Sequence, residues 1–403
     1  MREKFIYKAR NSTVKIEENK ITAFEKKDLD DYSYRVLRDG YVGAYYCREK
    51  IDDDEGYRRA EENLRFKRPY KFELETGVRY RDQTEKVLTD SELMALAKEA
   101  LEHINNKHPE YILSGSLSVC RTKQGQVNDK GLDLWNSDCT VNSGFSFKHK
   151  DSKDIFDGYF GLGQRDFKPG KLYDMTENFL GNYSTRADVP GEIIVQMPYY
   201  GLLDMLYGCL NGENIALGTS LLSGRIGEKI FSEDFTLLHD VSDGEAWHTR
   251  FFDREGVTLP GDKLAYIENG VLLRGYADKK TAEKYGIEHT GSAYCSFNDI
   301  PENGFVNLRI KQSGRTVKEL LDGRLSVVPV AYGGGGFNEK GDYTMPVRLA
   351  YLSDGERFLE RLPEFTLVSN MFDMFGKDFI GVGSDYPIFN DKSVLVRLKT
   401  SVQ

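Results

Sequence analysis

Cysteine is scarce in this chain: five residues in 403 (Cys47, Cys120, Cys139, Cys209, Cys295), with no two in a C-x-x-C pair. An odd, scattered set excludes a disulfide framework and a zinc ribbon, which both need paired thiols at short spacing. Long apolar runs are also missing. Nowhere do eighteen apolar residues follow one another, and the first eight residues lack the apolar stretch that opens a secretory signal. A cytoplasmic chain that does not engage a membrane is the expectation. Positive charge is in deficit, with 55 Lys and Arg against 64 Asp and Glu and a net charge of −9. That balance argues against direct nucleic-acid binding, which needs a basic footprint. The basic cluster Arg58, Arg59, Arg65, Lys67, Arg68 and Lys71 alternates with Glu55, Glu61, Glu62 and Glu73 and reads as a solvated helix face.

Familiar catalytic signatures are absent as well. The six histidines form no His-Glu-x-x-His pair that would put two imidazoles on one helix face. His103 and His108 are five apart at a helix end and read as an exposed terminus, while His239-Asp240 and Trp247-His248 fall in loop-like stretches. No G-x-S-x-G elbow is present, since Ser220 lacks a glycine two places on. Gly333–Gly336 is not followed by Gly-Lys-Ser/Thr and a helix, so it reads as a tight turn or close backbone packing, not a phosphate loop. The run Asp52–Glu55 lacks the spacing of a calcium loop and reads as surface charge before a helix.

What is present is turn-rich and strand-rich. Thirty-nine glycines in 403 residues suit a β-rich architecture, and the length suits two or three domains at about 150 residues each. Residues 12–47 alternate at period two, with breaks at Glu18-Asn19, Asp28–Asp31 and Asp39-Gly40, which predicts a four-strand antiparallel meander. Residues 55–68 suit a helix. Thr89 and Glu92 form a capping box ahead of Leu93, Leu96, Ala97, Ala100, Leu101 and Ile104, which predicts a second helix ending before Pro109. Strands follow at 112–119, 132–147 and 156–162, then a short helix near 173–183. The polar stretch 184–192 with Pro190-Gly191 places a domain boundary near 185, dividing 1–185 from a β-rich 186–403. Beyond it come a strand at 192–197, a helix at 199–212, and a glycine-punctuated strand series with short helices near 279–286, 316–322 and 369–376. Strands and helices are segregated, so the expected fold class is α+β, rich in antiparallel sheet.

The helix "GLLDMLYGCLNGE" (201–213) carries an apolar stripe of Leu202, Leu203, Met205, Leu206, Cys209 and Leu210. On its own spacing it is a structural helix, with Cys209 as a small core residue and Asp204 on a flank or as a buried acceptor.

Several blocks in order resemble the TldD/PmbA family, whose PmbA member is also called TldE and was historically named a modulator of DNA gyrase. They are "ENKITAFEKKDLDDYSYRVLRDGYVGAYYC", "SLLSGRIGEKIFSEDFTLLHD", "GGGGFNEKGDY" with "AYLSDGE", and most specifically "FFDREGVTLPGDKLAYIENGVLLRGYADKKTAEKYGIEHTGSAY". In the last block Asp253, Glu255-Gly256, Ile267–Leu272, Ala282 and Thr290-Gly291 stand in family register. Set against that resemblance, strand-like Val14 arrives early, and the expectation is that the helix usually preceding the first strand is missing or greatly shortened. The resemblance implies a two-domain PmbA/TldD-like fold and a paired architecture. TldD-like chains are zinc metallopeptidases with a His-Glu-x-x-x-His helix and a later cysteine ligand, and PmbA-like chains are companions without that motif.

Here the matching positions are Asp204, Met205 and Cys209, Gly208 keeps its place, and residues 381–391 contain no cysteine. Catalytic zinc takes about three protein ligands and a carboxylate base, and Met205 cannot accept a proton. The expectation is therefore a chain inactive by itself and without a cofactor, the non-catalytic subunit of a TldD-type metallopeptidase complex, with zinc on the TldD-like partner. An extended peptide would bind on strand edges, at a cleft bounded by Asp204, Gly208, Cys209, Gly335 and Gly336. Two alternatives stay open: an active metallopeptidase with unusual ligands such as Asp204, Cys209 and a histidine, and a stand-alone peptide-binding homodimer.

Overall fold

The first 47 residues form three antiparallel strands, β1 (Arg2–Glu17), β2 (Lys20–Arg38) and β3 (Tyr41–Cys47), not the four that the alternation suggests. The computed structural model describes residues 1–401 except 85, 184–187, 190, 199, 243, 245–246, 296–299 and 389–390. The acidic run Asp28–Asp31 was expected to turn, yet β2 passes straight through it, pairing Asp28 with Arg10, Asp30 with Lys8 and Asp31 with Tyr7. The Arg10 guanidinium lies 2.5 Å from Asp30 and 3.5 Å from Asp28, so cross-strand charge pairing holds extended what composition marks as a break. The other two breaks do turn. Glu18 and Asn19 have φ of 47° and 64°, and Asp39 and Gly40 have 52° and 77°, as a two-residue hairpin of right-handed twist requires.

Helix α1 (Asp53–Glu62) is capped by Asp52, whose carboxylate accepts from the Asp54 and Glu55 N–H groups. Its outer face is the charge-laced surface expected, with Arg58 and Arg59 each 2.7 Å from Glu55. After β4 (Arg68–Pro69) and β5 (Gly77–Gln83), helix α2 (Asp90–Lys107) starts at the complete Thr89–Glu92 capping box and buries Leu93, Ala97, Ala100, Leu101 and Ile104. Strands β6 (Tyr111–Asn128), β7 (Leu132–His149) and β8 (Gly158–Gln164) complete a sheet ordered β4-β3-β2-β1-β6-β7-β5, with β8 also on β7. The parallel β5–β7 pair has no signal in the sequence, because its partner strand lies beyond a helix and another strand.

His108 is not at an exposed helix terminus. Helix α3 (Pro169–Leu180) packs over the end of α2, leaving His108 6% exposed with its Nε2 3.2 Å from Glu177, and Tyr173 stacks on His103 at 4.0 Å.

The remaining chain opens with β9 (Glu192–Pro198), α4 (Tyr200–Cys209) and α5 (Gly212–Ala216). Strands β10 (Leu237–Asp240), β11 (Lys263–Glu268), β12 (Val271–Leu272) and β15 (Leu308–Ile310) make a four-stranded sheet; α6 (Lys279–Tyr285) and the ladder of β13 (Ala293–Tyr294) with β14 (Glu302–Asn303) precede β15. His239 thus stands inside a strand, not a loop. After α7 (Val317–Leu321) come β16 (Ser326–Tyr332), β17 (Gly336–Phe337), β18 (Asp342–Ser353), β19 (Phe358–Leu362), β20 (Phe365–Asn370), α8 (Met371–Phe375), β21 (Phe379–Val382) and β22 (Ser393–Ser401). They form a sheet ordered β16-β9-β22-β20-β18-β17, antiparallel except for β9 beside β16. The fold is α+β, as expected. Among the described residues no helix is long and apolar enough to cross a membrane.

The boundary expected near 185 lies outside the described residues. Packing does cross that point: Val328, Leu349, Tyr351, Phe358 and Ile388 share one buried cluster with Leu113, Phe147, Phe160 and Phe179. Tyr351 also donates its hydroxyl hydrogen to the Phe179 carbonyl at 3.0 Å. Leu349→Ala should therefore lower stability by about 2–5 kcal/mol, and signals from both halves should shift together. Urea unfolding followed by tryptophan fluorescence and far-UV circular dichroism checks this; two separated transitions would count against a shared core.

Candidate functional site

The stripe read from 201–213 sets how α4 sits. Leu202, Leu203, Leu206 and Leu210 are at most 5% exposed and enter the C-terminal core, together with Cys209 at 5%. Met205 is half-buried against the same core, whereas Asp204, Tyr207 and Gly208 face outward. Five residues span about 500° of helix, so Asp204 and Cys209 lie roughly 140° apart around the axis and cannot converge on one ion. The Ser220 hydroxyl donates to the Cys209 carbonyl at 2.6 Å, satisfying an acceptor at the helix end. Tyr207 donates to the Gly304 carbonyl at 2.9 Å and stacks on Tyr276.

Gly335 ends the connection from β16, and Gly336 opens the edge strand β17. Gly334 and Gly335 have φ of 97° and 95°, and a Cβ on Gly335 would stand 2.3 Å from the Thr344 carbonyl oxygen. This is the close backbone packing expected for the glycine run. Of the five cleft positions, Asp204 and Gly208 share an outer face, Cys209 turns into the core, and Gly335 and Gly336 lie in another element.

A concavity at a different place has no counterpart in the sequence reading. Tyr159 and Phe160 of β8, Met175 and Phe179 of α3, Trp247 and Tyr386 line a cavity of about 400 Å³. It adjoins a second of about 360 Å³ around Arg165, Asp174 and Pro387. Trp247 is held there by its neighbour. The His248 imidazole bridges Thr122 at 2.9 Å and Thr140 at 2.7 Å, and its backbone N–H donates to Asp138 at 2.7 Å. Arg165 grips that same carboxylate through two bonds. Burial, acting against the nearby charge of Asp138, lowers the His248 pKa. The Trp-His pair was visible in the sequence, but its partners lie more than a hundred residues away.

Buried charge forms a second centre that spacing could not find. Glu3 and Arg35, neighbours across β1 and β2, pair at 3.0 Å with side chains 2% and 3% exposed. Arg35 also donates to the Arg254 carbonyl at 2.9 Å, and Gln126 donates to Glu3 at 2.8 Å. The Asp253 carboxylate accepts from the backbone N–H groups of Glu255, Val257 and Ala293 at 2.8–2.9 Å. Glu255 accepts from the Tyr70 hydroxyl at 2.8 Å and the Lys279 N–H at 3.0 Å. Elsewhere, buried His239 accepts from the Asn307 N–H at 3.0 Å, and desolvation pushes its pKa down to about 4.

Residues 193–398, half the chain, match the PmbA/TldA metallopeptidase C-terminal domain. The chain belongs to the PmbA/TldD family. A metalloprotease of Archaeoglobus fulgidus is 24% identical over 374 residues, covering 86% of this chain and 84% of that protein. TldE from Thermococcus kodakarensis has a similar structure, with a TM-score of 0.81 and 17% identity over 99% of this chain and 95% of that one. A Thermotoga maritima protein described as a candidate modulator of a DNA gyrase gives 0.79 and 21%, over 99% and 96%. At these identities the two structures establish the fold.

Zinc is the metal the PmbA/TldD resemblance implies, and the side chains at its motif positions do not fit it. Asp204 faces solvent, Met205 offers no base, and Cys209 points into the core, where burial pushes its thiol pKa up. A zinc-bound cysteine must lose its proton. Among the described residues, no three His, Cys, Asp or Glu side chains cluster closely enough to hold an ion.

Burial, followed by the charge of Asp253, pushes the Glu255 pKa up to about 8 from its ordinary 4.5. Folded chains thus keep a proton on Glu255 that unfolded chains release above about pH 4.5. The protonated acid adds stability in mild acid, and that stability falls, on the order of a few kcal/mol, as pH rises to about 8. Glu255→Gln mimics the protonated acid, since its amide can donate to Tyr70 while its oxygen accepts from Lys279. The variant should flatten the decline between pH 5 and 8.5. Melting temperatures across that range test this, and an unchanged slope would rule Glu255 out as its source.

Proposed function

We propose that this chain is the non-catalytic, PmbA/TldE-like subunit of a TldD-type zinc metallopeptidase complex that acts in the cytoplasm on peptides or small unfolded proteins. The observation that carries the reading is α4. The helix holding the family's catalytic positions is kept and well packed, but it presents Asp204 outward, Met205 half-buried and Cys209 inward. Hydrolysis needs a metal-held water and a base, and in this reading both come from a TldD-like partner. The peptide lies extended, and β8 supports this role because it pairs on one side only among the described strands and borders the aromatic cavity.

The purified chain should carry no stoichiometric zinc, and it should co-purify with a His-Glu-x-x-x-His chain and cleave peptides only in its presence. Within that complex, Asp204→Ala should leave turnover largely intact, because an exposed acid on a non-catalytic helix makes no transition-state contact. A loss of about a hundredfold with folding unchanged would mean that the helix still does chemistry. About one zinc per isolated chain, with peptide cleavage, would favour the enzyme alternative; a stable homodimer that ignores a TldD-like chain would favour the peptide-binding one.

A further inference from the structure

Cys295 follows β13 and is 8% exposed. Its sulfur accepts a hydrogen bond from Arg254 Nε at 3.0 Å, and Arg35 Nη2 stands 3.9 Å away. Arg254 is itself only 2% exposed, with its guanidinium 3.7 Å above the centre of the Phe5 ring. Arg254 Nη2 has no hydrogen-bond acceptor, and neither do Nε and Nη2 of nearby Arg250. Asp253, the adjacent acid, accepts from three backbone N–H groups and makes no hydrogen bond to Arg254 Nη2. A buried guanidinium edge left open beside a sulfur is costly as it stands, and oxygen on that sulfur would complete it.

We propose that Cys295 is the chain's oxidant-reactive thiol, a modification site at which hydrogen peroxide places one oxygen on sulfur within reach of Arg254. In that step the sulfur attacks one peroxide oxygen, and the S–O bond forms as the O–O bond breaks. The thiol proton leaves with the second oxygen as water. Sulfur gives up two electrons, peroxide takes them, and the product is a sulfenic acid. Its oxygen then accepts from Arg254 Nη2, a charge-assisted bond that the reduced thiol cannot make at that atom.

The other four cysteines lack this setting. Burial pushes the thiols of Cys47, Cys120, Cys139 and Cys209 up, which suppresses the nucleophilic thiolate. Cys47 and Cys120 are nonetheless more exposed than Cys295, so accessibility and electrostatics make opposite predictions about which sulfur reacts first.

The test treats the folded full-length chain with low, increasing hydrogen peroxide in the presence of dimedone and measures label on each cysteine by peptide mass spectrometry. Cys295 should be labelled about tenfold faster than Cys47 or Cys120, and the preference should vanish in urea. Equal or faster labelling of Cys47 or Cys120 in the folded chain would overturn the proposal. Arg254→Lys, which keeps the charge but loses the fork, should slow labelling of Cys295 several-fold and leave that of Cys47 unchanged. An unchanged Cys295 rate in this variant, if folded, would also overturn it. If the variant does not fold, the wild-type labelling ratio decides alone.

Discussion

Arg35 sits within β2 at 2% exposure, where a guanidinium is tolerated only when its charge and its N–H groups are answered. Glu3 answers the charge from the neighbouring strand, and the Arg254 carbonyl answers an N–H from more than two hundred residues along the chain. Because one partner is on the first sheet and the other on a C-terminal loop, the arginine cannot be satisfied unless the two are docked. The segment from Trp247 to Gly256 follows from that docking. His248 seats on β6 and β7, Trp247 enters the aromatic cavity, and Asp253 ties the loop to Ala293. Such pairs add little to net stability, but removing one partner leaves a buried charge and costs about 3–5 kcal/mol. Their effect is to specify which surfaces meet.

Beside that joint, α4 shows how one helix divides its residues between a packing face and an outer face. A catalytic helix has two tasks, packing and presenting ligands, and the two use different faces. The packing face depends on apolar residues at helical spacing, and Leu202, Leu206 and Leu210 supply it here. The presenting face tolerates Asp204 and Gly208 because nothing in the core depends on them. Cys209 falls on the packing side, where a small apolar thiol is welcome.

Elements whose cause is local could be read directly from the chain. The Thr89–Glu92 box starts α2 because both hydrogen bonds span three residues. Asp39-Gly40 turns because its backbone angles suit those residue types, and the charges of α1 pair at helical spacing. Where distant groups intervene, local pattern misleads. Asp28–Asp31 looks like a turn until Arg10 crosses from β1 to pair with it, and His108 looks exposed until α3 covers it.

The site divides along the same line. The sequence alone determined that Asp204, Met205 and Cys209 share one short segment, that residues 381–391 bring no cysteine, and that a stripe of leucines makes the segment a helix. Those facts concern residue identity and spacing within a few turns of backbone. Only the tertiary structure decided that a cavity opens between β8, α3 and Tyr386, and that Cys295 lies against Arg254 and Arg35. Each of these arrangements depends on contacts between segments distant in the chain. Burial and electrostatic environment arise from such contacts, and local periodicity carries no record of them.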